Sequence, residues 1–448
     1  MKLNKQEFNK ELKSLAIPLA LQSLLTALVS ASDALMLGRL NQESIAAVSL
    51  ASQIAFVMTL FSGALTGGAS ALISQYYGKG DRDGVRRFMT MAVRYSLAIG
   101  VVFFLLGFLM PSQLMSFFTN EAELIRIGAG YLKIVSFSYL FTALAMPYLV
   151  VMKIDGRVKE SVLISLMTVI VDMCVDIFLI YGIGPVPALG ANGSAYSTIA
   201  VELIAFLWCL ISSGRKENIR PDAKYFLDFT KIYESDLWKI VFPMLASSLA
   251  WGLSITMHSF IIGHCGTDAT AAYSVAGVAQ QLTQCVVQGI AAGSAIMIGK
   301  LLGDNQLEKA KAYGDRFWNI SVICGFVNVA ILCVIGPAVY CFYVLEPMAK
   351  KYLVVMVLYS MLYMFAYSFN TIFTCGVFPA GGDAMYDAVS VGVATWLIAI
   401  PLSLLGLFIW NWPVIAVYMV MCMDEIIKVP VLYWYSKKYV WLKNLTRE

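Results

Sequence analysis

Residues 14–37 read SLAIPLALQSLLTALVSASDALML, an apolar run in which Asp33 is the single charged side chain. About 20 predominantly apolar residues cross a bilayer core as an α-helix, so this run is long enough to span. Comparable runs occupy 46–76, 88–110, 128–152, 161–183, 190–213, 237–263, 270–301, 317–344, 352–376, 385–410 and 413–436. They lack the period-two alternation of outer-membrane barrels, and their Pro and Gly interruptions are ones that membrane helices accommodate. The reading is an all-α membrane protein with twelve transmembrane helices. Composition agrees: of 448 residues, 59% are apolar and 13% charged, against roughly half and a quarter in soluble domains. The 32 basic and 28 acidic residues are too few to cover several soluble domains of this total length.

A shift of 225 residues lays Pro18 on Pro243, Ser23 on Ser248, Leu24 on Leu249, Leu28 on Leu253, Ala46 on Ala271, Gly68 on Gly293 and Gly78 on Gly303. Matched Pro and Gly at one fixed offset indicate an internal repeat. Six spans separate the copies, an even number, so both insert the same way. This predicts two parallel-repeat six-helix lobes related by an axis along the membrane normal. The lobes are expected at 1–213 and 237–448, the latter including a cytoplasmic tail, joined by the hydrophilic linker 214–236.

Assigning Lys and Arg to alternate sides of the twelve spans puts 27 of 32 on the side of the termini and 5 opposite. Cytoplasmic loops carry the basic excess, so both termini are expected to be cytoplasmic. The net charge of +4 is explained by that placement and implies no nucleic-acid partner. The first 13 residues are polar and basic, and no small-x-small cleavage site follows, so a retained first helix is expected. Nine cysteines form no Cys-x-x-Cys pair, two histidines cannot build a zinc site alone, and no phosphate-binding loop is present. No cofactor or resident metal is expected, and energy, if needed, comes from elsewhere than ATP hydrolysis by this chain.

The residues Leu15-Ala-Ile-Pro-Leu, Ser32-Asp33-Ala-Leu-Met-Leu-Gly38 and Ile45-Ala-Ala-Val48 resemble the first helix and following loop of the multidrug and toxic compound extrusion (MATE) family. Gly78-Lys-Gly80-Asp81, Asp155-Gly156-Arg157, the run Asp176 to Gly182 and Phe378-Pro-Ala-Gly-Gly382-Asp383 extend the likeness over most of the chain. The resemblance implies an antiporter of a prokaryotic plasma (inner) membrane. Its lobes would enclose a cavity and rock between two states, exporting organic, often cationic, compounds against H⁺ or Na⁺. It places the family's ion-coupling positions on Asp33, Asp172, Asp176 and Thr198, with Asp172 standing where the family usually has Asn. A seventh-helix Glu of NorM-type members has no match near Trp251, which favours a DinF-like arrangement.

The residues support these positions by their own chemistry. An acid near mid-membrane costs about 2.5–3.5 kcal/mol on insertion scales and survives where protein or water surrounds it. Gln22, Thr26, Ser30 and Asp33 form one polar stripe, and Thr168, Asp172 and Asp176 another. Two carboxylates one turn apart in low dielectric cannot both ionise cheaply, which suits a proton site; an oxygen cage for Na⁺ at Asp33 and Asp176 is the alternative. Gln280, Gln284 and Gln288 share one face of span 8, and Tyr363, Tyr367 and Asn370 one face of span 10. Aromatic faces attract organic cations, so these residues are the expected substrate face. His258, the repeat mate of Asp33, is added to it, and Asp424, Glu425 and Lys428 are read as self-paired structural charges. Gly63-to-Gly67 and Gly289-to-Gly293 are read as close-packing pairs.

Two other functions compete. A flippase for lipid-linked oligosaccharide or peptidoglycan precursors needs cavity-lining bases, for which only Arg94 and Lys133 lie far enough inside spans. A non-transporting membrane scaffold predicts no buried acid stripe. The expected partners are small organic cations and the lipid bilayer, with the chain as a monomer.

Overall fold

The computed structural model describes residues 5–38, 42–182, 187–215, 218–343 and 345–447, without the side chains of 29–35, 38 and 42. The helices follow in chain order as α1 (Lys5–Gly38), α2 (Gln42–Lys79), α3 (Arg82–Leu109), α4 (Pro111–Phe118), α5 (Ala122–Ile154), α6 (Val158–Tyr181), α7 (Ala191–Ser213), α8 (Ala223–Phe226) and α9 (Lys231–Gly263). The second half continues with α10 (Thr267–Gly303), α11 (Leu307–Phe342), α12 (Pro347–Ile372), α13 (Phe378–Ala380), α14 (Met385–Val391), α15 (Ile400–Phe408), α16 (Val414–Met421) and α17 (Asp424–Ser436). Among the described residues there is no strand, and eleven helical segments are long and apolar enough to span a bilayer. The twelfth expected span is the α16–α17 pair, interrupted at Cys422 and Met423. Asp424 restarts the helix there: its carboxylate accepts the Glu425 backbone N–H at 2.8 Å, a bond that competes with the regular ladder.

Two wide π-helical turns, Phe373–Val377 and Gly392–Ala399, connect α12 to α13 and α14 to α15. Each precedes a proline near the start of the next helix, Pro379 and Pro401. Proline lacks an N–H and its ring clashes with the carbonyl four residues back; widening the preceding turn relieves both problems without leaving the helical path.

The 225-residue offset is written into the helix boundaries. The starts at 42, 82 and 122 recur at 267, 307 and 347, and the ends at 38 and 263 coincide in the same way. Even the turn after α2 repeats: Gly80 has φ 80°, and its mate Asn305 has φ 57°, the left-handed region that Gly and, less freely, Asn can occupy.

The chain forms two compact units. The first comprises residues 1–23, 74–80 and 238–448, the second 24–73 and 81–237. The first half of α1 and the end of α2 thus pack in the unit that holds the second repeat. In the first unit Ile261, Ile262, Met356, Val357, Tyr418 and Met421 centre the core. In the second Leu37, Met58, Met115, Leu132, Tyr139 and Ile180 do so. Large apolar side chains such as Leu105, Ile211, Phe326 and Leu397 point outward, as a lipid-facing surface requires.

Within the first unit α2 and α10 meet backbone to backbone. A Cβ on Gly78 would lie 2.0 Å from the Lys300 carbonyl oxygen, and one on Gly303 1.8 Å from that of Gln75. Gln75 and Lys300 are themselves repeat mates, so the contact is reciprocal. Gly289 likewise admits α1, with a Cβ 2.4 Å from the Ala20 nitrogen, whereas Gly63 has nothing within 4 Å and its reading as a packing site does not hold. Gly303→Val is expected to lower stability by about 1–3 kcal/mol through overpacking, seen as a lower melting temperature in detergent. Gly63→Ala should leave that temperature unchanged.

Candidate ion-coupling and substrate sites

In the second unit Gly193 lets α7 close on α6, since a Cβ there would lie 2.6 Å from the Leu179 carbonyl oxygen. That approach puts Asp172 against α7, where Ser197 Oγ donates to Asp172 Oδ1 at 3.0 Å. Asp176, one turn on and about 6 Å further along the axis, is also buried. Thr198 turns its hydroxyl to the Ser194 carbonyl at 2.9 Å, so Ser197 rather than Thr198 is the hydroxyl bonded to Asp172. Glu202, one turn beyond Thr198, hydrogen-bonds with Thr142 and lies in Coulombic range of Asp172. Asp33 is on α1, but its side chain lies outside the described residues. The α1 end that carries it is fixed by Tyr181 Oη, which donates to the Met36 carbonyl at 2.8 Å, and by Leu37 in the core. Spans 1, 2, 5 and 6 contain no Lys or Arg.

The two deep bases are otherwise engaged. Arg94 donates to the Phe226 and Asp228 carbonyls at 3.2 and 3.0 Å, pairs with Glu234 and stacks on Phe229. It fastens the linker to α3. Nearby, Asp228 is held below the usual carboxylate range, first by the Thr230 hydroxyl that donates to it at 2.5 Å and further by Arg87. Lys133 is exposed and lies over the Phe108 ring. Neither base is placed as a pyrophosphate ligand.

In the first unit the expected substrate face is built from α10 and α12. Gln288 Nε2 donates to Tyr367 Oη at 3.0 Å, and the Tyr363 and Tyr367 rings stack with centroids 6.2 Å apart. Gln280 Nε2 donates to Ser360 Oγ at 2.7 Å and lies 3.3 Å from Tyr418 Oη. Gln284 lies between them, half-buried, its amide making no hydrogen bond among the described residues. Two of the three amides on this face, Gln280 and Gln288, are committed to protein hydroxyls.

Asn370 continues this face into a buried charge cluster. Its Nδ2 donates to the Glu425 carboxylate at 2.6 Å and to the Glu425 carbonyl at 2.7 Å. Lys428 Nζ lies 2.8 Å from Glu425 and 3.6 Å from Asp424, which also accepts from Thr395 Oγ1 at 2.7 Å. The three charges pair as their spacing implies. They also border the amide and tyrosine face through Asn370. Asp387, which sequence reasoning passed over, accepts from the Ser247 hydroxyl and lies in Coulombic range of Lys428. An acid three residues inside the apolar run 385–410 was the available signal.

A duplicated membrane-helical fold with acids buried between its helices is the architecture of a transporter. The chain belongs to the MATE family: the family's model, described as MatE, matches residues 18–178 and again 243–405. The two matched segments start 225 residues apart. The chain is 22% identical to the probable multidrug resistance protein YoeA of Bacillus subtilis, covering 86% of this chain and 84% of that one. Among solved structures, a MOP superfamily transporter from Pyrococcus furiosus superposes with a TM-score of 0.88 at 16% identity, covering 98% and 97% of the two chains. A MATE structure in the straight conformation gives 0.87 at 16% identity, covering 96% of each chain. Members of this family are transporters and not enzymes.

Because Asn370 satisfies a buried carboxylate, Asn370→Ala is expected to cost about 1.5–3 kcal/mol, the usual loss for a hydrogen bond to a charged group. A fall in melting temperature, restored in part by Asn370→Gln, would show it.

Proposed function

We propose that the chain exports organic cations across a prokaryotic plasma membrane in exchange for H⁺, working as a monomer with both termini cytoplasmic. The observation that carries this reading is the buried pair of carboxyls Asp172 and Asp176 on α6, one turn apart. Two carboxylates this close in low dielectric cannot both ionise cheaply, which suits a proton or a bound cation. The ion site is Asp33, Asp172 and Asp176 with the α7 hydroxyls Ser197 and Thr198. The lobes that rock are 1–213 and 237–448, about the 214–236 linker. Protonation of one acid changes the hydrogen bonds it can make and shifts the balance between two states. Relatives named as multidrug resistance proteins support small-molecule export.

The substrate site is Gln280, Gln284, Gln288, Tyr363 and Tyr367, with Asn370 and His258 at its charged border. Stacked tyrosines offer ring faces to a cation, and the unengaged Gln284 amide offers a donor and an acceptor.

Asp176→Asn is expected to abolish efflux driven by a pH gradient in proteoliposomes while leaving drug binding within about threefold. Asp172→Asn, which restores the family's usual residue, should keep most of the rate. Wild-type efflux that follows a Na⁺ gradient without a pH gradient would keep the site and change the ion. Gln284→Ala should alter the ranking of exported compounds with ion coupling intact; an unchanged ranking would remove Gln284 from the substrate face. Reporter fusions at the C-terminus test the orientation.

A further inference from the structure

The two repeats part company where α11 gives way to α12. In the first repeat the chain breaks at Met110 and Pro111, and the short helix α4 packs on α5 with Met115 fully buried. A Cβ on Gly128 of α5 would lie 2.2 Å from Met115 Cε. In the second repeat α11 runs without a break to Phe342. Tyr340, the mate of Met115 at the 225-residue offset, stays 39% exposed. A groove of about 540 Å³ lies open between the end of α11 and the start of α12, within the size range of small-ligand sites. Leu345, Pro347, Val354 and Val355 give it an apolar lining, and Lys350 and Lys351 are the charged residues that line it.

These lysines lack the acid that the first repeat provides. Arg126, the mate of Lys351, donates to Glu123, one turn back on α5, in two hydrogen bonds of 2.9 and 2.6 Å. Met348 stands at the position of Glu123, and neither Lys350 nor Lys351 makes an ion pair among the described residues. Glu346, the nearest acid in sequence, is exposed and does not line the groove. The Lys350 ammonium lies 5.4 Å from the centre of the Tyr340 ring, a contact that attracts the cation without cancelling its charge. Two adjacent ammonium groups beside an apolar lining, at the junction of two membrane-spanning helices, complement a ligand that is anionic at one end and apolar at the other. A free anion gains nothing from the apolar lining, and the lysines repel an organic cation.

We propose that the groove at Tyr340, Lys350 and Lys351 binds the headgroup of an anionic phospholipid, with the lysines taking the phosphate charge and the first acyl carbons lying along Val354 and Val355. The lipid then occupies, beside α12, the place that Met115 of α4 fills beside α5. The inference rests on the membrane-spanning fold and is independent of the transported compound and of the coupling ion.

The test is native mass spectrometry of the whole protein in detergent, titrated with phosphatidylglycerol or with phosphatidylcholine, which carries the same phosphate without net charge. The wild type should hold one phosphatidylglycerol more tightly than phosphatidylcholine. Lys350→Gln or Lys351→Gln should weaken that lipid about fivefold, and the double variant about thirtyfold, with phosphatidylcholine binding unchanged. Val354→Trp, a change at an exposed position, keeps both charges and narrows the groove, so it should weaken the same lipid. Undiminished binding in Val354→Trp overturns the proposal in favour of lysines that merely reach the interface. A double variant that binds phosphatidylglycerol like the wild type overturns it as well. So does displacement of the lipid by inorganic phosphate, the mark of a free-anion site, or a dimer that the double variant abolishes, the mark of an interface between two copies. Failure of efflux in transport assays bears on the antiport reading and leaves this result standing.

Discussion

In hydrocarbon a polar group has no water to turn to, and each must find its partner within the protein. Most of the architecture follows from that constraint. Backbone groups are satisfied within long helices. The two prolines that would break the ladder in spans 10 and 11 are absorbed by π turns, which keep the chain helical while skipping one bond. The only interrupted span among the described residues, at Cys422 and Met423, lies beside a carboxylate that takes over a backbone donor. Irregularity is admitted where a side chain can pay for it.

The same constraint sorts the ionisable residues. Arg94, twelve residues into α3, looks from its position like a base inside the membrane, yet the linker folds over it and supplies carbonyls, a carboxylate and a ring. Asp172 finds the Ser197 hydroxyl, and Asp176 is buried one turn further along α6. Lys428 finds two carboxylates at close range. Ion pairs therefore hold charge in both units, Arg94 with Glu234 in one and Lys428 with Asp424 and Glu425 in the other.

Much of the fold was legible because it rests on one-dimensional signals. Apolar run length and the Pro18/Pro243 and Gly78/Gly303 matches require no knowledge of which helix touches which. The helix starts at 42, 82 and 122 and their recurrence show how faithfully the offset survives folding. What was not legible depended on partners far apart in sequence. Asn370 reads as one more member of a tyrosine stripe until Glu425 is set against it, 55 residues away. Thr198 and Ser197 are adjacent, and helical phase alone does not decide which hydroxyl reaches Asp172. Gly63 and Gly289 have the same spacing signature, but only Gly289 has a helix leaning on it.

The reciprocal contact of Gly78 with Lys300 and Gly303 with Gln75 has the form of an isologous interface, in which one patch meets its own copy. Such a patch would serve two separate half-length chains as well as it serves one fused chain. In a pair of identical chains every substitution is made twice, once in each copy. Fusion removes that restriction, so the contact can be kept while its surroundings drift apart. Asn305 could then replace the glycine that Gly80 retains, His258 could stand where its mate is Asp33, and Lys428 could arise in one half without a lysine entering the other. The glycine contact keeps the two-fold correspondence that those positions lack.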